Sequence, residues 1–352
     1  MRRVSVDIGG TFTDCFLAYD GNYIEAKALT THHNLASGFM EALGNACAEL
    51  NLSVRDVLST VDAVRYATTL GTNALIERNG PRVGLVTTAG YESSVPLMRA
   101  RGYGDGLDQA GQTDLPGADR PVPLVPIPMI VGIKERIDYK GAVCMTVEDE
   151  DVRKQVRKLV DQGCQAFVVA LVNAVVNPSH EKEVERIILN EYPTHVLGAL
   201  PIVLSHRVAG RKAEYSRTMS AILDAYLHDQ MYHGMSTLEV ALRANGYARP
   251  MLLVHNTSGM AQLNSTHSLQ TIHSGPVAGL EATGYLAGQF KEPNVIATDM
   301  GGTSFDIGLV TADGVKFYDF NPVIDRWLVS TPMTYLHTLG AGGGSIARYD
   351  RL

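Results

Sequence analysis

The first 30 residues alternate apolar and polar positions in short runs separated by glycine-containing turns, a pattern typical of antiparallel β-strands. The first run ends at Gly9-Gly10, and Asp20-Gly21-Asn22 gives a second turn signal. Apolar residues then recur at helical spacing over residues 35–50. We therefore predict a β-meander followed by a helix, with strands over 3–8, 15–19 and 23–29.

Strand and helix patterns alternate through the middle of the chain. This order is typical of an α/β domain with partly parallel strands. A segment rich in glycine and proline, residues 99–128, predicts a long irregular loop. The predicted strands are 61–68, 82–87, 132–144, 166–176, 251–255 and 295–298, and the predicted helices are a short one ending before Gly80, then 148–162, 178–192, 213–245 (stopped by Gly246) and 279–289.

Composition narrows the class of protein. The chain has 352 residues, of which 45% are hydrophobic and 19% charged, as expected for a globular protein of about two domains. A formal net charge of -7 argues against nucleic-acid binding. No run is long and apolar enough to span a bilayer, and the first residues lack the apolar segment of a signal peptide. Four widely spaced cysteines predict free thiols, which are typical of the cytoplasm. Together with the net charge and the apolar pattern, they lead us to expect a cytoplasmic protein without membrane or nucleic-acid partners.

Two segments of the chain repeat each other. Residues 7–14 read DIGGTFTD and residues 299–306 read DMGGTSFD, which share the pattern D-x-G-G-T-x-x-D. An apolar strand pattern precedes and follows each copy. The repeat therefore predicts two β-hairpins with glycines at their tips.

Such hairpins have the chemistry of a phosphate clamp. Glycines let backbone N–H groups approach an anion, threonine hydroxyls donate to phosphate oxygens, and an aspartate at a strand end holds Mg²⁺. We predict Asp7 and Asp299 as catalytic and metal-binding residues. A plain Gly-Gly turn is the alternative for either copy alone. The predicted phosphate-binding residues are Gly9, Gly10, Thr11, Thr13, Gly301, Gly302, Thr303 and Ser304.

Three further groups are weaker candidates. His255 lies at the end of a predicted strand, where active-site residues of α/β proteins collect, and is a candidate catalytic residue. The glycine loop 340–345 either approaches the nucleotide or the substrate, with Gly342 and Gly343 as candidate binding residues, or forms only a turn. Arg217 and its neighbours are expected on a solvated helical face rather than in an anion channel. The histidine pairs lack a third ligand at zinc spacing.

Both copies of the repeat resemble the ATPases of the actin, Hsp70 and sugar-kinase group. Further segments resemble the hydantoinase A/5-oxoprolinase family, and they are 67–91, 124–126 with 132–141, 177–181, 214–218 and 274–279. The resemblance implies an α/β, actin-like ATPase (ribonuclease H-like) fold with two related α/β domains and mixed sheets. We expect these domains over residues 1–200 and 201–352, with the second continuing beyond Leu352.

The resemblance also implies a chemistry. It implies ATP with Mg²⁺ or Mn²⁺, activation of a carbonyl or amide oxygen by phosphorylation, and a hydantoinase B-like partner subunit. Residues 210–215 and 254–260 are similar to ATP-binding subunits of acetone- and acetophenone-type carboxylases, which implies a ketone and bicarbonate as substrates. The alternatives are a hydantoinase or 5-oxoprolinase that opens a cyclic amide, and a non-catalytic actin-like ATPase module. Tyr66-Ala67 replaces a His-Gly of the family, and residues 127–132 lack its arginines, so substrate contacts there are expected to differ.

Overall fold

The computed structural model describes most of the chain. The described residues are 1–31, 33–100, 102–114, 116–117, 119–195, 199–301, 305–319, 321–339, 341–346 and 348.

The strands and helices follow in chain order. The strands are β1 Arg2–Ile8, β2 Phe12–Tyr19, β3 Asn22–Leu29, β4 Ala63–Thr68, β5 Val83–Thr88, β6 Ile130–Ile133, β7 Arg136–Ile137, β8 Val143–Met145, β9 Ala166–Ala170, β10 Ile202–Leu204, β11 Leu252–Val254, β12 Met260–Gln262, β13 Val295–Met300, β14 Phe305–Thr311, β15 Gly314–Val315, β16 Val323–Ile324, β17 Trp327–Leu328 and β18 Leu336–Leu339. The helices are α1 Leu35–Glu49, α2 Val54–Thr60, α3 Leu70–Ile76, α4 Ser94–Leu97, α5 Gln109–Thr113, α6 Asp149–Asp161, α7 Ser179–Glu191, α8 Ser205–Val208, α9 Glu214–Ala244 and α10 Ser274–Phe290, with short 3₁₀ helices at Met98–Ala100, Ile127–Met129, Leu263–Ser265 and Ser268–Thr271.

The first sheet has the strand order β12-β11-β4-β1-β2-β3. Strands β1 to β3 are antiparallel because tight turns join them, whereas β4 and β11 run parallel to β1. Apolar side chains alternate along β1, so Val4, Val6 and Ile8 are buried on one face. Helices α1 and α2 and the second half of α9 cover that face. The opposite face carries Ser5 and Asp7.

The second sheet has the order β10-β9-β5-β6, and its pairings are parallel. Strands β5 and β9 are buried along their whole length, as expected for a parallel sheet covered on both faces. Residues of α6, α7 and the first half of α9 belong to the same core. Because the strands are parallel, their carboxyl ends meet at one edge of the sheet.

Helix α9 connects the cores of the first two sheets. Its buried residues from Tyr215 to Leu227 pack in the core of the second sheet, and those from Met231 to Leu242 pack in the core of the first. The helix ends at Ala244, and Gly246 follows with a φ of 92°, a left-handed conformation that glycine favours. The predicted helix and its glycine stop are therefore both found.

The third sheet contains β13, β14 and β15 in that order, and β18 pairs with β14. Helix α10 packs on this sheet through Leu280 and Ala287, which contact Val310. A Cβ atom at Gly308 would lie 2.7 Å from the Leu280 side chain, so a glycine is needed for this close approach of helix and strand.

Several predicted elements have different limits in the structure, and the single strand predicted over 132–144 is divided among β6, β7 and β8. The strand predicted over 166–176 ends at Ala170, and the rest of this apolar run forms turns in which Asn173 has a φ of 60°. The run is apolar because these turns are largely buried. Helix α10 begins five residues before the predicted Gly279, because Pro276 lies in the first turn, where a helix does not need its N–H group.

The sheets extend across the division predicted at residue 200. Strand β10, just after that position, pairs with β9 of the second sheet, and β11 pairs with β4 of the first. The domains 1–200 and 201–352 stay a prediction, and no sheet boundary coincides with residue 200.

Candidate functional site

Both copies of the repeat form antiparallel hairpins with the same register. In the first hairpin Asp7 lies opposite Asp14, and in the second Asp299 lies opposite Asp306. The first and last positions of D-x-G-G-T-x-x-D are therefore cross-strand neighbours in each copy. This equivalence is what the sequence repeat predicts.

Hydrogen bonds hold the tip of the first hairpin in shape. The Gly9 N–H donates to the Phe12 carbonyl over 3.0 Å, and the Thr30 hydroxyl donates to the Gly9 carbonyl over 2.9 Å. Since that bond uses the only hydroxyl hydrogen of Thr30, Thr13 donates to Thr30 over 3.1 Å. Thr13 is fully buried on the core face of β2, so the expectation that it contacts a phosphate is corrected. Thr13 supports the hairpin from the core side of the sheet.

The outer side of the first tip presents free backbone donors. Gly10 and Thr11 are exposed, and within the described residues their N–H groups have no hydrogen-bond acceptor. A hairpin tip with free N–H groups and room around a glycine suits a phosphate. Phosphate binding by Gly10 and Thr11 stays a prediction, for which these free donors are available.

The glycine loop near the end of the chain contacts the second hairpin. The Gly343 N–H donates to the Gly301 carbonyl over 2.9 Å, and the Gly342 N–H donates to Ser345 Oγ over 3.0 Å. Over residues 341–346 the loop is thus a turn that lies beside the second hairpin, and its approach to a nucleotide or substrate stays a prediction. The predicted residues Gly302, Thr303 and Ser304 lie outside the described residues.

Asp7 and Asp299 line the same cavity, which has a volume of about 820 Å³. Strands β1 to β4 and β11 form its floor, and α10 lies along its side. Gly275, in the first turn of α10, is so close that a Cβ atom there would lie 3.1 Å from Asp7 Oδ1. The structure therefore brings the two predicted aspartates together, 292 residues apart in the chain, beside the amino end of a helix.

The charge of these aspartates is not neutralised by the described residues. Neither carboxylate has a hydrogen bond or ion pair there. Burial raises the pKa of Asp7 to about 6, and the nearby carboxylates of Asp14 and Asp299 add to this increase. Asp7 is exposed to the open cavity, and the protein atoms that surround its carboxylate on the other sides reduce its solvation.

Such a pair of carboxylates fits a Mg²⁺ ion. Magnesium is commonly held by one or two carboxylates together with phosphate oxygens and water. Within the described ranges no group of three or more His, Cys, Asp or Glu side chains could hold a metal by itself. Asp7 and Asp299 would therefore hold the ion together with a nucleotide's phosphates.

His255 is not part of this cavity. It follows β11, where Val254 faces the cavity and His255 points to the other side, because side chains alternate along a strand. Its Nε2 lies 2.9 Å from Thr266 Oγ1, whose own hydrogen is donated to the Gln262 carbonyl, so Nε2 is the donor. Burial, with a contribution from His267, lowers the pKa of His255. The expectation of a catalytic His255 is corrected by this placement.

A second polar cluster, which the sequence analysis did not predict, lies at the carboxyl edge of the second sheet. Glu135 is buried there and accepts from Thr88 Oγ1 and, over 2.6 Å, from His180 Nδ1. Glu181 is also buried, and it accepts four hydrogen bonds at 2.5–3.2 Å. The donors to Glu181 are Leu171 N, Ser205 Oγ, His206 N and His206 Nδ1.

Arg217 extends this edge cluster. It is fully buried and donates to the Leu171 carbonyl over 2.6 Å and to Glu214, so the expected solvated helical face is corrected at this position. The segments 132–141, 177–181 and 214–218, quoted above for the family resemblance, thus meet at one sheet edge. Their resemblance was the only sequence signal for this cluster.

Comparisons with known proteins extend this picture. A family model described as "Hydantoinase/oxoprolinase N-terminal region" matches residues 3–192, and one described as "Hydantoinase/oxoprolinase" matches residues 217–352. The acetophenone carboxylase gamma subunit of Aromatoleum aromaticum is 42% identical over 351 residues, which are 100% of this chain and 48% of that protein. Among the described residues, no helix is both long and apolar enough to cross a membrane.

Two solved structures share the fold. A nucleotide-free acetone carboxylase superimposes with a TM-score of 0.90 and 26% identity, covering 99% of this chain and 50% of that one. An ATP-dependent caprolactamase from Pseudomonas jessenii superimposes with a TM-score of 0.84 and 29% identity, covering 99% of this chain and 49% of that one. The chain spans about half the length of these relatives. The predicted α/β actin-like ATPase fold is confirmed, and the chain belongs to the hydantoinase/oxoprolinase family.

Proposed function

We propose that this chain is the ATP-binding part of an ATP-dependent, biotin-independent ketone carboxylase of the acetone or acetophenone type. The observation that carries the proposal is the cavity in which the aspartates of two equivalent hairpins, Asp7 and Asp299, meet without a neutralising partner among the described residues. The 42% identity with an acetophenone carboxylase subunit along the whole chain supports this choice of reaction.

The roles of the chain's own residues follow from their positions. The free N–H groups of Gly10 and Thr11 bind phosphate oxygens, and Asp7 with Asp299 holds Mg²⁺ or Mn²⁺. When bound, the metal–ATP complex supplies the phosphoryl group that activates bicarbonate or the enolised ketone. Positioning and charge stabilisation provide most of the rate in such reactions, which suits a rigid hairpin frame. The Gly343–Gly301 hydrogen bond steadies the second hairpin.

The proposal includes a partner. The acetophenone carboxylase and acetone carboxylase relatives are named as subunits, which supports assembly of this chain with other polypeptides. A hydantoinase B-like subunit would join the activated fragments. Its identity and stoichiometry belong to the same proposal.

A second candidate is an ATP-dependent amidase that opens a cyclic amide. The similarity to caprolactamase, at 31% identity over 354 residues for its alpha subunit, favours it. The same cavity would then activate an amide oxygen in place of bicarbonate or an enolate. The two candidates differ in the acceptor and in the need for bicarbonate.

Turnover by the full natural polypeptide, purified with its partner subunits, tests both candidates. The ketone carboxylase predicts that nucleoside diphosphate or monophosphate release requires a ketone and bicarbonate together. Release that follows a lactam or hydantoin and requires no ketone would reject it in favour of the amidase. ATP binding without stimulation by any of these small molecules would support the non-catalytic ATPase module.

A further inference from the structure

The cavity contains a cation, Arg65, that has no acidic partner among the residues that the structure describes. Arg65 lies on β4 on the same sheet face as Asp7, since Ala67, two residues later, is the parallel neighbour of Asp7. Two residues of a strand correspond to about 6.6 Å. An arginine side chain is long enough to cover that separation, so its guanidinium group is within reach of the space beside Asp7.

The Arg65 guanidinium makes no hydrogen bond or ion pair with the described residues, and its Nε is buried without a partner. The other basic residue that lines the cavity, Lys27, forms an ion pair with Asp14 at 2.9 Å and lies over the Phe12 ring. Glu25 also lines the cavity, but it forms no ion pair with Arg65 in the described part of the chain. Arg65 is therefore the lining cation that is free to bind an anion.

The surroundings of Arg65 favour a small planar anion. Ser5 is its register neighbour on β1 and also lines the cavity, so a serine hydroxyl faces the same space. Burial and the nearby Arg3 lower the pKa of Arg65, which reflects a positive charge that lacks compensation. A planar guanidinium binds a planar carboxylate-type anion through two parallel hydrogen bonds, which an ammonium group does not do.

We infer that Arg65 binds bicarbonate next to the metal-binding aspartates, as the acceptor of the phosphoryl group. This inference rests on the proposed function. A bicarbonate oxygen forms a bond to the terminal phosphorus, the bond from that phosphorus to the leaving ADP oxygen breaks, and the hydrogen of bicarbonate stays on the product carboxyphosphate. Arg65 holds the anion in line and offsets its charge against the phosphates.

The test uses phosphonoformate, a stable analogue of carboxyphosphate, as a probe that requires no turnover. Its dissociation constant is measured by calorimetry on the full-length complex in the presence of Mg²⁺ and ADP. We expect Arg65→Gln to weaken phosphonoformate binding at least about tenfold and to leave ADP affinity unchanged. Arg65→Lys keeps the charge but not the planar fork, and we expect an intermediate loss.

Arg3→Gln is the matched control. Arg3 lies on the same face of the sheet, likewise lacks an ion pair among the described residues, and does not line the cavity. It should leave phosphonoformate binding unchanged. Equal effects of Arg3→Gln and Arg65→Gln, or wild-type binding by Arg65→Gln, would overturn the inference.

The bicarbonate dependence of turnover separates this inference from the proposed function. A raised KM for bicarbonate in Arg65→Gln, with the KM for ATP unchanged, supports both. Wild-type turnover that requires bicarbonate, together with an Arg65→Gln variant that has a normal KM for it, overturns the role of Arg65 and leaves the function standing. Turnover that ignores bicarbonate, together with Arg65-dependent phosphonoformate binding, rejects the carboxylase and retains the anion site.

Discussion

Two groups of carboxylates in this protein have opposite surroundings. Glu135 and Glu181, at the carboxyl edge of the second sheet, are buried, and hydroxyl, imidazole and backbone donors satisfy them. Asp7 and Asp299, in the cavity of the first sheet, have no such donors among the described residues, and the pKa of Asp7 is raised by burial and like charge. Glu135 and Glu181 are buried and hydrogen-bonded, as carboxylates that hold a structure together are, whereas Asp7 and Asp299 are exposed to the cavity and available to a ligand.

The comparison also shows that a place at the carboxyl edge of a parallel sheet does not by itself identify the ligand-binding site. A parallel sheet usually binds its ligands at the carboxyl edge, and by that rule the second sheet would carry the site. In this chain Glu135 and Glu181 accept hydroxyl, imidazole and backbone donors of that edge, while Nε and Nη1 of the buried Arg217 have no acceptor among the described residues. The tip of the first hairpin retains free N–H groups at Gly10 and Thr11, and Asp7 and Asp299 have no hydrogen-bond partner among the described residues. Accessible carboxylates and N–H groups without protein partners, rather than sheet topology, therefore identify the candidate site.

The largest expected effect is on ATP turnover. Asp7→Asn keeps the size of the side chain but removes a metal-binding charge, so turnover in the full complex should fall at least about 100-fold. The melting temperature should not fall, because the variant also removes like-charge repulsion with Asp299. Asp14→Asn is the control, since Asp14 is exposed and paired with Lys27. Asp14 lines the same cavity, so equal losses of activity in Asp14→Asn and Asp7→Asn would contradict a special role for the unpaired carboxylate of Asp7.

The next effect is on folding stability and concerns the edge cluster. Glu181→Gln turns an acceptor that receives four hydrogen bonds into an amide whose NH₂ group faces donors, so the free energy of unfolding should decrease by about 2–4 kcal/mol. Denaturant titration measures it. Glu183→Gln, whose side chain is 40% exposed and paired with Arg186, should change it by no more than about 0.5 kcal/mol. A stable Glu181→Gln variant with a selective loss of ATP turnover would reverse the comparison.

A smaller effect is expected from two glycines of α10. A Cβ atom at Gly275 would lie 3.1 Å from Asp7 Oδ1, whereas one at Gly279 would meet nothing within 4 Å. Gly275→Ala should shift the Asp7 carboxylate and weaken the Mg²⁺ dependence of nucleotide binding several-fold. Gly279→Ala should leave binding unchanged and stabilise the helix by up to about 1 kcal/mol. Identical binding by the two variants would show that Asp7 is not held against the helix.

The smallest expected effect is the pH dependence of stability without metal. The pKa of Asp7 is about 6 in the folded protein and near its ordinary value in the unfolded chain, so its ionisation disfavours folding. Protonated Asp7 therefore contributes to the free energy of unfolding, and this stabilisation is complete below about pH 4 and is lost as the pH rises through about 6. Asp7→Asn should remove this component from the difference in unfolding free energy between pH 4 and 7. An unchanged profile would contradict the crowding of charges in the cavity.

The repeat allowed the core of the site to be predicted, because a short hairpin fixes its own register. Asp7 and Asp14 face each other for the same local reason that Asp299 and Asp306 do. Thr13 was wrongly assigned to the phosphates, since one residue along a strand reverses the face and Thr13 lies on the core side.

Contacts between distant segments were beyond local reasoning. Glu135 and His180 are 45 residues apart, and nothing in either segment indicates that they meet. The same holds for Arg65, which reads as one polar residue in a strand until the register with β1 places it two positions from Asp7. His255 was placed correctly near the end of a strand, but the sequence did not show that its side chain points away from the cavity toward Thr266.

The most direct test of the central claim measures how much Mg²⁺ improves ADP binding in the wild-type complex and in the Asp7→Asn, Asp299→Asn and double variants. If both aspartates hold one ion, each single variant should lose most of the improvement, and the double variant should lose little more. Affinity for ADP without Mg²⁺ should be retained, because the hairpin N–H groups remain. Single variants that keep the full Mg²⁺ effect, or losses that add independently, would contradict a shared metal site between the two hairpins.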